Sequence, residues 1–343
     1  MCDIRRKLAG KMNLKSTYLV RHQFRLMILK YINSICNLYI LLLCLSVTLL
    51  SAQRYGVEVV VLGTVQDAGS PHMACQKSCC IDLWTHPDSS RKVVSLGIHD
   101  HIENSHFVIE ASPDFPSQMQ VFLNNSNKVV PDGIFLTHGH IGHYTGLMYL
   151  GKESMNSNLV PVYAMPRMSQ FLSKNGPWDL LVKNENIDLR MLDKIKDVEL
   201  SDQLTVRPLV VPHRDEYSET VGYIIEGSSK RLLFIPDIDK WTVWEDKEKM
   251  KIEDLLKEVD FALLDATFYD EAEINYRDIK QIPHPFVVES MARFSNLEAS
   301  EKNKIHFIHL NHTNPLLNRK SKAYRTVVEN GYNVANFQQT FRL

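Results

Sequence analysis

The chain predicts a layered α/β fold, and three observations carry that expectation. Short β-branched runs alternate with helical patterns from residue 57 to residue 310, as expected for strands and helices packed in layers around a shared core. No internal repeat, low-complexity tract or Pro/Gly-rich linker interrupts that stretch, so it reads as one domain. The 343 residues are 44% apolar and 23% charged, which excludes a disordered chain, a collagen and a polytopic membrane protein.

Val57–Leu62 (VEVVVL) is the first expected strand, ended by Gly63. Phe107–Ala111 (FVIEA) follows, then Gly133–Thr137 (GIFLT), which runs straight into histidines, and Val160–Ala164. Leu204–Pro212, Thr220–Glu226 and Arg231–Pro236 come next, the last two joined by a turn that Gly227 opens. Phe261–Asp265 and Lys304–Leu310 complete the strands. Helical patterns fall at Ser117–Asn124, His143–Gly151, Pro166–Asn175, Ile252–Glu258 and Phe286–Ser295. His99, Asp100 and His101 read as a solvated hairpin tip.

Residues 1–52 read as an address. Leu38 to Ala52 is fifteen residues without a charge, short of the ~20 that span a bilayer and near the length of a signal-peptide core. Ser51 and Ala52 suit a cleavage site; an uncleaved signal anchor and a buried core helix are the alternatives. All three leave residues 55–343 as the working domain. The expected location is the secretory pathway, secreted or membrane-anchored with the domain lumenal or extracellular. Asn124-Asn125-Ser126 is a glycosylation sequon that fits this route, whereas Asn311-His312-Thr313 is one only formally. The leader holds eight Lys/Arg against one acid, leaving 31 basic and 39 acidic residues in the remainder, a net of −8. Such a body argues for a small-molecule substrate and against a nucleic acid, which would call for a basic face. Membrane contact is expected only through an uncleaved anchor.

Cys75, Cys79 and Cys80 are an odd number within six positions, a poor disulfide framework and a better metal cluster, with reduced or oxidised surface thiols as the alternative. His72 and His312 are both candidates for a fourth ligand to a structural zinc. The stronger signal is THGHIGH, which puts His138, His140 and His143 at one strand end. Downstream, His213 (VVPHRDE), Asp237 (FIPDID) and His309 (FIHLNH) also follow apolar runs. Five histidines and one aspartate at four strand ends suggest a dinuclear metal site on one rim of a sheet.

These residues resemble the metallo-β-lactamase fold superfamily, whose order is an early strand Asp, H-x-H-x-D-H, a lone His, a lone Asp and a last His. Asp114 (EASPDF), THGHIGH, VPHRDE, FIPDID and FIHLNH follow that order across residues 57–315. The SPDF segment, the cysteine cluster and the H-L-N-H-T-N-P ending are most similar to the branch holding coenzyme PQQ biosynthesis protein B and the phosphonate-pathway cyclic phosphodiesterase. The resemblance implies a four-layer αβ/βα sandwich, two face-to-face β-sheets with helices outside. It implies that His138, His140 and His213 bind one metal, His143 and His309 a second, and that Asp237 bridges them. It also favours His312 over His72 beside Cys75, Cys79 and Cys80, although the spacing C-x-x-x-C-C departs from the branch's C-x-C-x-x-C. His284 (IPHPFV) is implied as a general acid, an ordinary turn histidine being the alternative.

One departure stands out: the motif's Asp is Gly142 here. The second site is then expected to be short of a carboxylate, with Asp215 or Asp67 as possible replacements, and Gly142→Asp is expected to tighten it. Asp215, Glu216 and Glu219 read as an exposed loop or as partners orienting His213. The function expected is a metal-dependent hydrolase using a zinc-activated water on a small phosphodiester or ester. The alternatives are PQQ-protein-like redox or hydroxylation chemistry and a binding protein that keeps the fold without turnover. The cofactor expected is zinc, one or two active-site ions plus one structural ion, with iron or manganese as alternatives at the active site.

Overall fold

The computed structural model describes residues 25, 27, 29–41, 56–274 and 282–343. Residues 29–41 are helical, and among the described residues no helix is long and apolar enough to cross a membrane. The expected cleavage point after Ala52 lies outside the described residues, as does most of the proposed leader. Chain contacts separate a unit ending at Arg54 from a second one, Tyr55–Leu343.

Among the described residues of the second unit, fourteen strands form two mixed seven-stranded sheets. The first sheet runs β14 (Thr340–Arg342), β1 (Val57–Gly63), β2 (Ser95–Asp100), β3 (Ser105–Ile109), β4 (Gly133–Phe135), β5 (Val160–Ala164), β6 (Ile187–Met191). The second runs β13 (Asn333–Val334), β12 (Ile305–Ile308), β11 (Phe261–Asp265), β10 (Arg231–Ile235), β9 (Val221–Glu226), β8 (Leu204–Val210), β7 (Val198–Ser201).

Alternation along each strand decides which layer a side chain enters. Val57, Val59 and Val61 of β1 meet Leu204 and Val206 of β8, Tyr223 and Ile225 of β9, and Leu232 and Phe234 of β10 in the core between the sheets. The intervening Leu233 and Ile235 of β10 point the other way, into a second core under helices Trp241–Glu248, Ile252–Glu258 and Val287–Arg293. Leu62, Val108, Ile134 and Val162 do the same on the first sheet, under helices Phe115–Leu123 and Pro166–Lys174. Both faces of both sheets are covered, and the result is the four-layer αβ/βα sandwich.

The expected solvated tip at residues 99–101 is largely strand. Asp100 is buried and accepts from Ile102 N, Glu103 N and Ser201 Oγ, and His99 stacks on His106 at 4.0 Å; only His101 is exposed. The THGHIGH region gives a short helix, Ile141–Tyr144, and then a 3-10 segment, Thr145–Leu150, in place of one helix over His143–Gly151.

β3, β4 and β5 are parallel, β10, β11 and β12 are parallel, and β1 and β8 reach the same sense through antiparallel neighbours. The C-terminal ends of β1, β3 and β4 therefore share one rim of the first sheet. Those of β8, β10, β11 and β12 share one rim of the second.

Candidate metal centre

Each of those seven strand ends delivers a polar side chain: Asp67 after β1, Glu110 after β3, His138 after β4, His213 after β8, Asp237 after β10, Asp265 at the end of β11 and His309 after β12. Glu110 (φ +77°) and His309 (φ +66°) hold left-handed backbone, which side-chain-bearing residues seldom adopt and which is concentrated at functional sites.

Two clusters of ligand atoms result, His138–His140–His213 and Asp67–His143–Asp237–His309, each with its atoms within 4.8 Å of one another. Asp237 lies between them. Its Oδ2 is 2.9 Å from His143 Nε2, 3.2 Å from His309 Nε2 and 3.7 Å from His138 Nε2, while Oδ1 is 3.7 Å from His213 Nε2. His213 Nε2 is buried and makes no hydrogen bond within the protein, so a cation beside it answers an otherwise unmet polar demand.

The far side of each ring faces an oxygen. Thr137 Oγ1 meets His138 Nδ1 at 2.8 Å, Asp239 Oδ1 lies 3.4 Å from His213 Nδ1, Glu110 Oε2 lies 3.1 Å from His143 Nδ1, and Thr267 Oγ1 meets His309 Nδ1 at 2.9 Å. Partners of this kind fix ring orientation and leave the opposite nitrogen toward a metal. His140 is reversed: Nε2 faces Glu216 at 3.3 Å and Nδ1 points inward, 2.8 Å from His138 Nε2.

Protonation follows this layout. Burial pulls His138 well below the usual imidazole range and lowers His140 too, leaving neutral rings fit to be ligands. Burial would also lower His143, but Glu110, Asp67 and Asp237 outweigh it and raise that ring well above its ordinary value. Burial pushes the Asp67 carboxyl up, and the neighbouring His143 and His309 more than reverse this, holding it well below the carboxylate range. The same carboxylates that favour a proton on His143 favour a cation in its place, since the ring gives up that proton to become a ligand.

Three expectations change. The place of the missing motif carboxylate is taken by Asp67: its Oδ1 is 2.9 Å from His143 Nε2 and 3.3 Å from His309 Nε2. Asp215 is tied up elsewhere, accepting from Thr220 Oγ1, and Glu219 accepts from Arg167 N, so the partner of His213 is Asp239. Asp114 is not the early strand acid; its carboxylate accepts from Val93 N at 2.8 Å, and Glu110 is the acid beside His143. Glu110 and Asp265 lie in the site and were passed over in the sequence reading, although both share the apolar-strand-to-acid pattern that singled out Asp237.

Cys75, Cys79, Cys80 and His312 form a third cluster within the same 4.8 Å limit. The sulfur separations of 3.9 Å (Cys75–Cys79) and 3.8 Å (Cys79–Cys80) match the ~3.8 Å tetrahedral edge implied by Zn–S bonds of about 2.3 Å. Burial and the two neighbouring thiols push Cys79 up to about 12, so filling the cluster must release protons. His72 lies outside it, its ring stacked on His312 at 4.4 Å and its backbone N–H donating to Cys80 Sγ.

His284 sits against the shared carboxylate. Its Nδ1 is 2.7 Å from Asp265 Oδ2 and 3.5 Å from Asp237 Oδ1. Burial would lower it, but Asp265 and Asp237 raise it to about 9. His284 also lines a cavity of about 700 Å³, together with Gln66, Met73, Arg214, Phe268 and Asn311 and with Cys75 and His312. His213, Asp237 and His284 also lie close enough to share an ion. Asn124 is exposed, while the buried Asn311 donates to Thr313 Oγ1.

Residues 105–307 match the family model described as a beta-lactamase superfamily domain. A coenzyme PQQ synthesis protein B from Xanthomonas axonopodis pv. citri is 24% identical over 308 residues, 82% of this chain and 98% of that protein. The crystal structure of Zn(2+)-bound PqqB from Methylobacterium extorquens superposes with a TM-score of 0.66 at 24% identity, covering 83% of this chain and 100% of that one. A diphosphatase from the PhnP family gives 0.56 at 18% identity, covering 84% and 97%.

Proposed function

Because the chain belongs to the beta-lactamase superfamily, we propose that it is a zinc-dependent hydrolase of a small phosphodiester or ester. The observation that carries this reading is Asp237, one carboxylate within reach of both histidine clusters and of His284. Bound zinc supplies Lewis acidity toward a substrate oxygen and lowers the pKa of water toward ~7.

The chain's own residues do the remaining work. Asp237 and Asp67 balance the charge of the ions, and Glu110, Thr137, Asp239 and Thr267 hold the histidine rings in line. His284, fixed by the buried Asp265, is the proton donor to the leaving-group oxygen. Arg214 on the cavity wall meets an anionic group, while Met73 and Phe268 meet an apolar one. The net charge of −8 beyond the leader favours a small molecule over a nucleic acid. The apolar run before Ala52 and the exposed Asn124 sequon support a place in the secretory route; a glycosidase-sensitive mass on the protein from secretory membranes tests it.

The function is tested on the zinc-loaded full chain with aryl phosphodiesters, cyclic phosphates and aryl esters. The expected result is turnover that a chelator abolishes and zinc restores. Turnover requiring oxygen and ferrous iron would instead support the alternative of redox or hydroxylation chemistry. Full metal loading with no turnover on any substrate would support a binding role.

A further inference from the structure

Two loops each contribute to two metal clusters. The loop after β1 carries Asp67, which faces His143 and His309, and then Cys75, Cys79 and Cys80. The loop after β12 carries His309 in the first cluster and His312 in the second. The loops are stitched together between these points. Gln66 N donates to Leu310 O at 2.9 Å, Leu310 N donates to Thr64 O at 2.8 Å, and the His72 and His312 rings stack at 4.4 Å. The His138–His140–His213 cluster draws on neither loop.

This sharing matters because of Gly142. Where the resembling motif carries its carboxylate beside the histidines themselves, this chain brings one in from a distant loop. Near Asp67 that loop is held by a Gly69 N to Gln66 O turn and an Arg91–Ser70 hydrogen bond, and Met73 near its tip is 80% exposed. We propose that an ion held by Cys75, Cys79, Cys80 and His312 clamps the two loops together and thereby sets the affinity of the Asp67–His143–Asp237–His309 cluster for its own ion. The coupling is reciprocal: whatever factor the thiolate ion gives the second active-site ion, that ion gives back. The coupled element is the loop pair, which both ions bias toward one arrangement.

The test uses the full chain, loaded with zinc for elemental analysis and with cobalt for spectroscopy. Sulfur-to-cobalt charge transfer reports the thiolate cluster separately from the histidine clusters. Cys75→Ser and His312→Asn should each remove the thiolate ion and weaken the second active-site ion about 10–100-fold, the range for losing a group that orients metal ligands. The ion at His138, His140 and His213 should change by less than about threefold, because its ligands lie outside both loops. Asp67→Asn should weaken the thiolate ion by a similar factor, a reciprocal measurement that stands even if a thiolate variant does not fold. The proposal is overturned if the second ion keeps its affinity within about threefold after the thiolate ion is lost. It is overturned equally if all active-site ions weaken together, or if the wild type gives no thiolate signal. Every readout is metal binding, so failure of the hydrolase reading would leave this result interpretable.

Discussion

The carboxylate of Asp67 occupies the space that a side chain at Gly142 would need: a Cβ built on Gly142 lies 2.6 Å from Asp67 Oδ1 and 2.5 Å from Asp67 Cα. The two positions are 75 residues apart in sequence and compete for one volume beside His143. A glycine at 142 leaves the room that the Asp67 carboxylate fills, and any larger residue there would meet it.

Gly142→Asp should consequently harm the protein, contrary to the tightening that the motif alone suggests. Two carboxylates cannot fit, and overpacking of this kind costs about 1–3 kcal/mol. Denaturant unfolding and zinc titration of Gly142→Asp, Asp67→Gly and the double variant measure it. The double variant should be more stable than Gly142→Asp alone, the non-additivity expected of residues sharing one space. Additive effects would separate the two positions.

His284→Ala should retain its zinc while lowering kcat about 10²–10⁴-fold, the usual range for a lost general acid. The loss should be large for alkyl leaving groups and small for 4-nitrophenolate, which departs without protonation. A uniform loss across leaving groups would remove His284 from the proton-donor role.

Stability should depend on pH through Glu273, which accepts from Thr313 Oγ1 at 2.6 Å and from Tyr269 N at 2.5 Å. Burial pushes its carboxyl up from 4.5 to about 7. The folded state therefore binds this proton more tightly than the unfolded one. The resulting stability is fully present below pH 4.5 and is lost as pH rises to about 7. Its size is on the order of 3 kcal/mol. Urea unfolding at pH 5 and pH 7.5 should show the wild type losing more stability than Glu273→Gln across that interval. Parallel losses would contradict it.

The sequence made the site legible where an apolar strand hands over directly to a ligand-type residue. GIFLT into His138, FIPD into Asp237 and FIHL into His309 are of this kind, and the structure brings those residues to one place. Legibility failed where the partner lay far along the chain. Nothing near Asp67 tells it apart from Asp215, because it is the bridge from Val65 and Gln66 to Leu310 that fixes this loop beside His309. Asp114 drew attention through the SPDF segment, yet it turns back to Val93, and the strand-end acid four residues earlier does the work. In the fold, the missed strands were those with weak alternation. β2 holds Gly97 and a polar His99-Asp100 end, β6 and β7 are half-exposed, and β13 and β14 have two and three residues.

Zinc stoichiometry, measured by elemental analysis of the full chain and of His138→Ala/His140→Ala, tests the central claim most directly. The account predicts three ions per wild-type chain and two in the double variant, with circular dichroism unchanged because these ligands sit at the rim of the sheets. A wild type holding a single ion, or a double variant with undiminished zinc, would contradict a two-metal centre built around Asp237.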